Sequence, residues 1–111
     1  MTLVMYILQR NDLKWPQGSI IAQACHATSA CLHKYRQDPS TVKYLSDLEN
    51  MRKVVLQVNE EELNTIERDL VSSHVDFYTW IEQPENIKTA IALKPAEKKD
   101  LPQISHLKLF K

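Results

Sequence analysis

A single glycine, Gly18, stands in a chain of 111 residues, at the junction between a charged loop and a helical pattern. That excludes a P-loop, a dinucleotide-binding fingerprint and a glycine-rich lid, each of which needs several glycines to bring backbone close to phosphate. The segment around it, Arg10 to Ala27, is the most distinctive in the chain. It leaves an apolar strand, crosses a loop containing Pro16, and enters a helix that carries Ser19, Gln23 and His26 on one side. Any chemistry or anion binding is expected there.

The pattern of apolar residues predicts the elements on either side. Thr2 to Gln9 reads as a strand whose near-continuous apolar run suits burial on both faces. Asn11 to Gly18 reads as a loop broken by Pro16 and Gly18. Ser19 is the expected N-cap of a helix to about Tyr35. Projected at about 100° per residue, Ile20, Ile21, Ala24, Ala27, Thr28, Cys31, Leu32 and Tyr35 form a core-facing stripe. Ser19, Ala22, His26, Ser29 and His33, flanked by Gln23, form an opposite face of small and polar residues. A smooth face of this kind invites close approach by a ligand, a partner or nucleic acid.

Beyond it, Ser40 or Thr41 starts a shorter helix to about Asn50, and Lys53 to Val58 is a second strand. Asn59 and Glu62 have capping-box spacing for a helix over Glu60 to Ser73, with Leu63, Ile66, Leu70 and Val71 inward. Val75 to Ile81 and Lys88 to Leu93 read as strands joined by a short turn with Pro84, hence a hairpin. Lys94 to His106 is polar, with a short helix broken near Pro102, and Leu107 to Phe110 is expected to pack back. This order predicts an α/β domain over residues 1–111, with parallel crossovers and one antiparallel hairpin. Ligands of such open sheets sit beyond the carboxyl ends of strands, which again selects Arg10 to Ser19.

Composition narrows the function classes. Fourteen basic and fourteen acidic residues cancel, whereas dedicated nucleic-acid binders carry a basic surplus. Residues 1–58 nevertheless have net +3 and residues 59–111 net −3, so RNA contact is expected from the first half. No apolar run approaches the roughly 20 residues of a membrane helix. Met1 to Leu8 is too short, and lacks the basic flank, for a signal peptide. A cytoplasmic, membrane-free location is therefore expected. Cys25 and Cys31 lie about 240° apart on a helix and cannot bond each other. Both read as buried small hydrophobes, and no Cys/His spacing matches a zinc site.

Arg10-Asn11-Asp12-Leu13-Lys14, Gly18, and Ala22-Gln23-Ala24-Cys25-His26-Ala27 resemble the first loop and helix of the type 2 peptidyl-tRNA hydrolases. Lys53 to Leu56, Glu60 to Leu63, Thr89 to Pro95 and Leu107 to Leu109 extend the resemblance over most of the chain. Trp15-Pro16, Met51-Arg52-Lys53 and Glu82-Gln83-Pro84-Glu85-Asn86-Ile87 are similar to a divergent branch, the peptidyl-tRNA hydrolase domain-containing proteins. The resemblance implies a four-stranded mixed sheet between helices. It implies hydrolysis of the ester between a peptide and the 3′ end of tRNA by activated water, without metal or organic cofactor. The chain departs from the family at two places: Ser19 stands where a lysine is usual, and Gln83-Pro84-Glu85 where Asp-Ala-Gly is usual.

On this reading His26 is the general base, since imidazole titrates near neutral pH, and Gln23 orients water or a ribose hydroxyl. Lys14 and the helix start at Ser19 hold negative charge. Arg10 and Asp12 complete an anion or tRNA site, Asp12 either orienting His26 or pairing with Arg10. Trp15 and Trp80 either stack bases or pack. The alternatives are a member that binds tRNA or another RNA without turnover, and a protein-interaction module, as a homodimer, using the smooth helix face.

Overall fold

A computed structural model describes residues 2–111, so Met1, at the head of the Met1–Leu8 run, lies outside the described residues. The described residues form β1 (Met5–Arg10), α1 (Gln17–Lys34), α2 (Pro39–Leu45), β2 (Lys53–Val58), α3 (Glu60–Ser72), β3 (Phe77–Glu82) and β4 (Ile87–Leu93). Short 3₁₀ turns follow α2 at Leu48–Asn50 and β4 at Lys98–Asp100 and Pro102–Ile104. The sheet order is β2-β1-β4-β3. β1 runs parallel to β2, with Met5 opposite Lys53, and antiparallel to β4, with Leu8 opposite Ile91. The expected β3–β4 hairpin is present, with Phe77 opposite Leu93 and a register shift between Trp80 and Ile81.

The layers follow from strand alternation. Met5 and Ile7 of β1 and Ala90 and Ala92 of β4 face α1 and α2, where Ala27, Cys31 and Tyr44 complete one core. Tyr6 and Leu8, with Ile91 and Leu93, face the other way onto Leu63, Ile66 and Leu70 of α3 and onto Leu101 and Ile104. The alanines of β4 let α1 lie close to the sheet. β1, central and covered on both faces, is buried along its whole length. This is the three-layer α/β arrangement with a four-stranded mixed sheet that the resemblance implies.

Several expectations are corrected. Helix α1 starts at Gln17 behind Pro16 as N-cap, so Ser19 lies inside the first turn and is not the cap. Pro16, at φ −56° and ψ 148°, offers its carbonyl to the amides of Ser19 at 3.0 Å and Ile20 at 3.1 Å, and this starts the helix early. Gly18 is helical, has no positive φ, and a Cβ there would meet nothing within 4 Å, so it is no breaker. The buried side of α1 is Ile20, Gln23, Ala27 and Cys31, rotated from the expected stripe. Ile21 is 57% exposed, whereas Gln23 is 2% exposed. Cys25 is exposed, and Cys31 is buried as expected; both are free thiols. Burial pushes the Cys31 thiol up to about 12.

Helix α2 begins at Pro39 and gives way to the 3₁₀ turn before Asn50. On α3, Val71 is exposed, because the helix presents only Leu63, Ile66 and Leu70 to the sheet. The expected C-terminal helix is two separate 3₁₀ turns on either side of Leu101. The last residues do pack back: the Gln57 amide donates to the Lys108 carbonyl and the Phe110 amide to the Val55 carbonyl, each at 2.9 Å.

Candidate active site

At one end of the sheet β1 finishes, β3 finishes and β4 begins, and α1 crosses above them. Gln23, in the second turn of α1, points into this corner. Its amide nitrogen donates to Glu82 Oε2 at 3.2 Å and to the Ser19 carbonyl at 3.1 Å, and its oxygen accepts from Thr89 Oγ1 at 2.8 Å. A buried amide needs such partners, since leaving one out costs roughly 1–3 kcal/mol. Glu82 Oε1 accepts from the indole Nε1 of Trp80 at 2.9 Å. Trp80 and Glu82 are two apart on β3 and so share the face toward α1. The bond from Trp80 first, and that from Gln23, hold the Glu82 carboxyl below its ordinary range, against the opposing effect of desolvation.

His26, three residues after Gln23, lies flat on Trp80 with ring centroids 4.7 Å apart and planes inclined by 24°. The stack fixes the plane of the imidazole, while the residue stays exposed and neither ring nitrogen has a partner among the described residues. Beneath the corner Gln9 is 1% exposed. Its amide nitrogen donates to the carbonyls of Thr89 at 3.2 Å and Arg10 at 3.3 Å, and Oε1 has no hydrogen-bond partner. Gln9, Thr89, Gln23, Glu82 and Trp80 thus form one connected polar chain running from the sheet to the surface.

The structure brings Gln23 and His26 together, but with divided tasks. Gln23 is wholly engaged and holds Glu82; it has no free donor to orient water. Arg10 and Asp12 belong to another group. Arg10 Nε donates to Asp12 Oδ1 at 2.8 Å, its Nη1 to the Lys88 carbonyl at 3.1 Å, and Glu60 lies 3.5 Å from Nη1. Asp12 Oδ2 accepts from the amide of Glu60 at 3.0 Å. The pair therefore ties the end of β1 to the start of α3, and Asp12 makes no hydrogen bond to His26. Lys14 is exposed and without an ion pair among the described residues. Ser19 is exposed on the first turn of α1, where its carbonyl receives Gln23.

Glu82, Thr89 and Trp80 complete the corner, and sequence reasoning missed Glu82 by assigning it to the turn. The signal was there: Trp80 and Glu82 stand at i and i+2 at the end of a strand, hence on one face.

The family model described as "Peptidyl-tRNA hydrolase PTH2" matches residues 3–110. A human protein named "Putative peptidyl-tRNA hydrolase PTRHD1" is 44% identical over 98% of this chain and 83% of its own length. A peptidyl-tRNA hydrolase of Methanococcus vannielii is 50% identical over 58% of this chain and 56% of its own length. The solved structure of an Agrobacterium protein of unknown function shares the fold, with a TM-score of 0.68, 13% identity and 98% of both chains covered.

Proposed function

Since the chain belongs to the peptidyl-tRNA hydrolase PTH2 family, we propose that it cleaves the ester between a peptide and the 3′ end of tRNA at the corner of α1, β3 and β4. The observation that carries this assignment is the buried Gln23, whose amide holds the Glu82 carboxylate beside the exposed imidazole of His26. Water attacks the ester carbonyl carbon and His26 takes its proton. The bond from that carbon to the ribose oxygen breaks, and the imidazolium returns a proton to the departing oxygen. The products are the free peptide acid and the tRNA 3′ hydroxyl.

Glu82, ionised at neutral pH, stabilises the imidazolium while it exists. Trp80 holds the ring plane, and Gln23 is a positioning residue acting through Glu82. Lys14 and the first turn at Ser19 supply positive potential for the oxyanion or for tRNA phosphate. Arg10 and Asp12 serve this site by holding the loop that carries Lys14. Two free thiols accord with work in the reducing cytosol.

The test is release of peptide from purified peptidyl-tRNA. His26→Ala is expected to lower kcat by about 10²–10⁴-fold, the usual worth of a general base, and Glu82→Gln by a smaller factor with KM little changed. A wild-type rate equal to buffer overturns the hydrolase assignment. Unchanged kcat in His26→Ala overturns the role of the histidine alone.

A further inference from the structure

The two edges of the sheet are treated differently. Along β2 the chain covers its own edge, with Leu109 bridged antiparallel to Leu56 and backbone bonds on both sides of that bridge. Along β3 no described residue adds a strand. The Lys94 amide donates to the Asp76 carbonyl at 3.0 Å, which sets the phase of the β3–β4 pairing. Tyr78 and Trp80 share the phase of Asp76, so Phe77, Thr79 and Ile81 turn their amides and carbonyls away from β4. The Phe77 carbonyl is closed off from outside by the hydroxyl of Tyr35 at 3.0 Å. The open part of the edge is therefore Thr79 to Ile81, about 10 Å long at roughly 3.3 Å per residue, since the Glu82 carbonyl accepts from the Asn86 amide. Ile81 stands between Trp80 and Glu82, the two strand residues that also build the catalytic corner. A groove of about 500 Å³, lined by Val75 to Thr79 together with Lys34 and Tyr35, lies beside the Phe77 end of the strand and meets the open edge at Thr79.

We propose that this edge binds the peptide portion of the substrate as an added strand; the proposal rests on the hydrolase assignment above. With the ester at His26 and Glu82, the peptide runs back toward Phe77, parallel to β3, with its amino end away from the reacting bond. Thr79 and Ile81 exchange backbone hydrogen bonds with the last three or so residues before the ester. Backbone pairing reads no side chains, so peptides of different sequence would be held alike. Side chains of the added strand alternate between solvent and the groove beside Tyr78.

Non-hydrolysable analogues test this directly, with amide-linked peptides on the 3′ end of tRNA. A four-residue peptide is expected to bind about tenfold tighter than a single acetylated residue, the return of a few net hydrogen bonds less the cost of ordering the chain. N-methylation of the peptide amide facing Thr79 is expected to abolish that gain. Thr79→Pro places a ring on the outward amide, a site an edge strand tolerates. It is expected to remove the gain for the longer peptide and leave the single-residue analogue unchanged. Equal affinity for the short, long and methylated analogues overturns the proposal even if peptidyl-tRNA is cleaved. The graded affinity without cleavage supports strand addition and faults only the hydrolase assignment. If Thr79→Pro instead converts a dimer to a monomer with all affinities unchanged, the edge pairs two copies and the proposal falls.

Discussion

A glutamine amide offers two donors and an acceptor, and Gln23 finds Ser19, Glu82 and Thr89 for them. This decides its burial: three satisfied polar groups make the side chain acceptable to the interior. The same accounting separates Asp12 from the corner that holds Gln23. Its carboxyl is held below the ordinary value of 3.8 first by the bond from Arg10, with burial opposing and the Glu60 amide helping. A carboxyl with a depressed folded pKa stabilises the fold above its unfolded value and loses that contribution as pH falls through the folded value. Asp12→Asn is therefore expected to cost about 1 kcal/mol at neutral pH, the pair being one-third exposed on the Asp12 side. The cost should shrink as pH falls below the ordinary carboxyl value and through the lowered folded one. Urea unfolding of both proteins at neutral and acid pH checks this, and a cost independent of pH would show that the ion pair is not its source.

Among the elements, α3 shows local chemistry carried through intact. Asn59 accepts from the Glu62 amide at 2.8 Å while the Glu62 carboxylate accepts from the Asn59 amide at 2.9 Å. Three glutamates sit in that first turn, where the positive end of the helix dipole favours them. Asn59→Ala is expected to destabilise the protein by about 1 kcal/mol, read as a lowered denaturation midpoint with an unchanged slope. Helix α1 shows the opposite case. Its length was legible from the apolar pattern, but its rotation was not, because Ile21 and Gln23 compete for the buried side. Hydrophobicity alone favours Ile21. The partners that make Gln23 the better choice, Thr89 and Glu82, lie 66 and 59 residues away, and no local pattern contains them. Its start shifted for a local reason, since the Pro16 carbonyl accepts two amides and needs no capping hydroxyl.

At the scale of the molecule, the C-terminal residues close the β2 edge that would otherwise expose unpaired backbone. Deleting residues 108–111 removes the Lys108 and Phe110 backbone bonds. The expected loss is roughly 2 kcal/mol at about 1 kcal/mol per bond, with faster amide exchange confined at first to Gln57. Uniform loss of protection throughout the sheet would contradict a local role. The sequence by itself determined the order of elements, the second strand, the α3 cap, the β3–β4 hairpin and a loop-helix segment bearing Gln23 and His26. These depend on period, capping chemistry and turn residues, all of which act over a few positions. Tertiary structure alone decided that Glu82 and Thr89 meet Gln23, that His26 lies on Trp80, that Arg10 and Asp12 serve α3, and that among the described residues one sheet edge stays open. Each joins residues from different elements. Which side chain is buried there depends on the hydrogen bonds that distant strands bring to it, a quantity that exists only once the sheet has assembled.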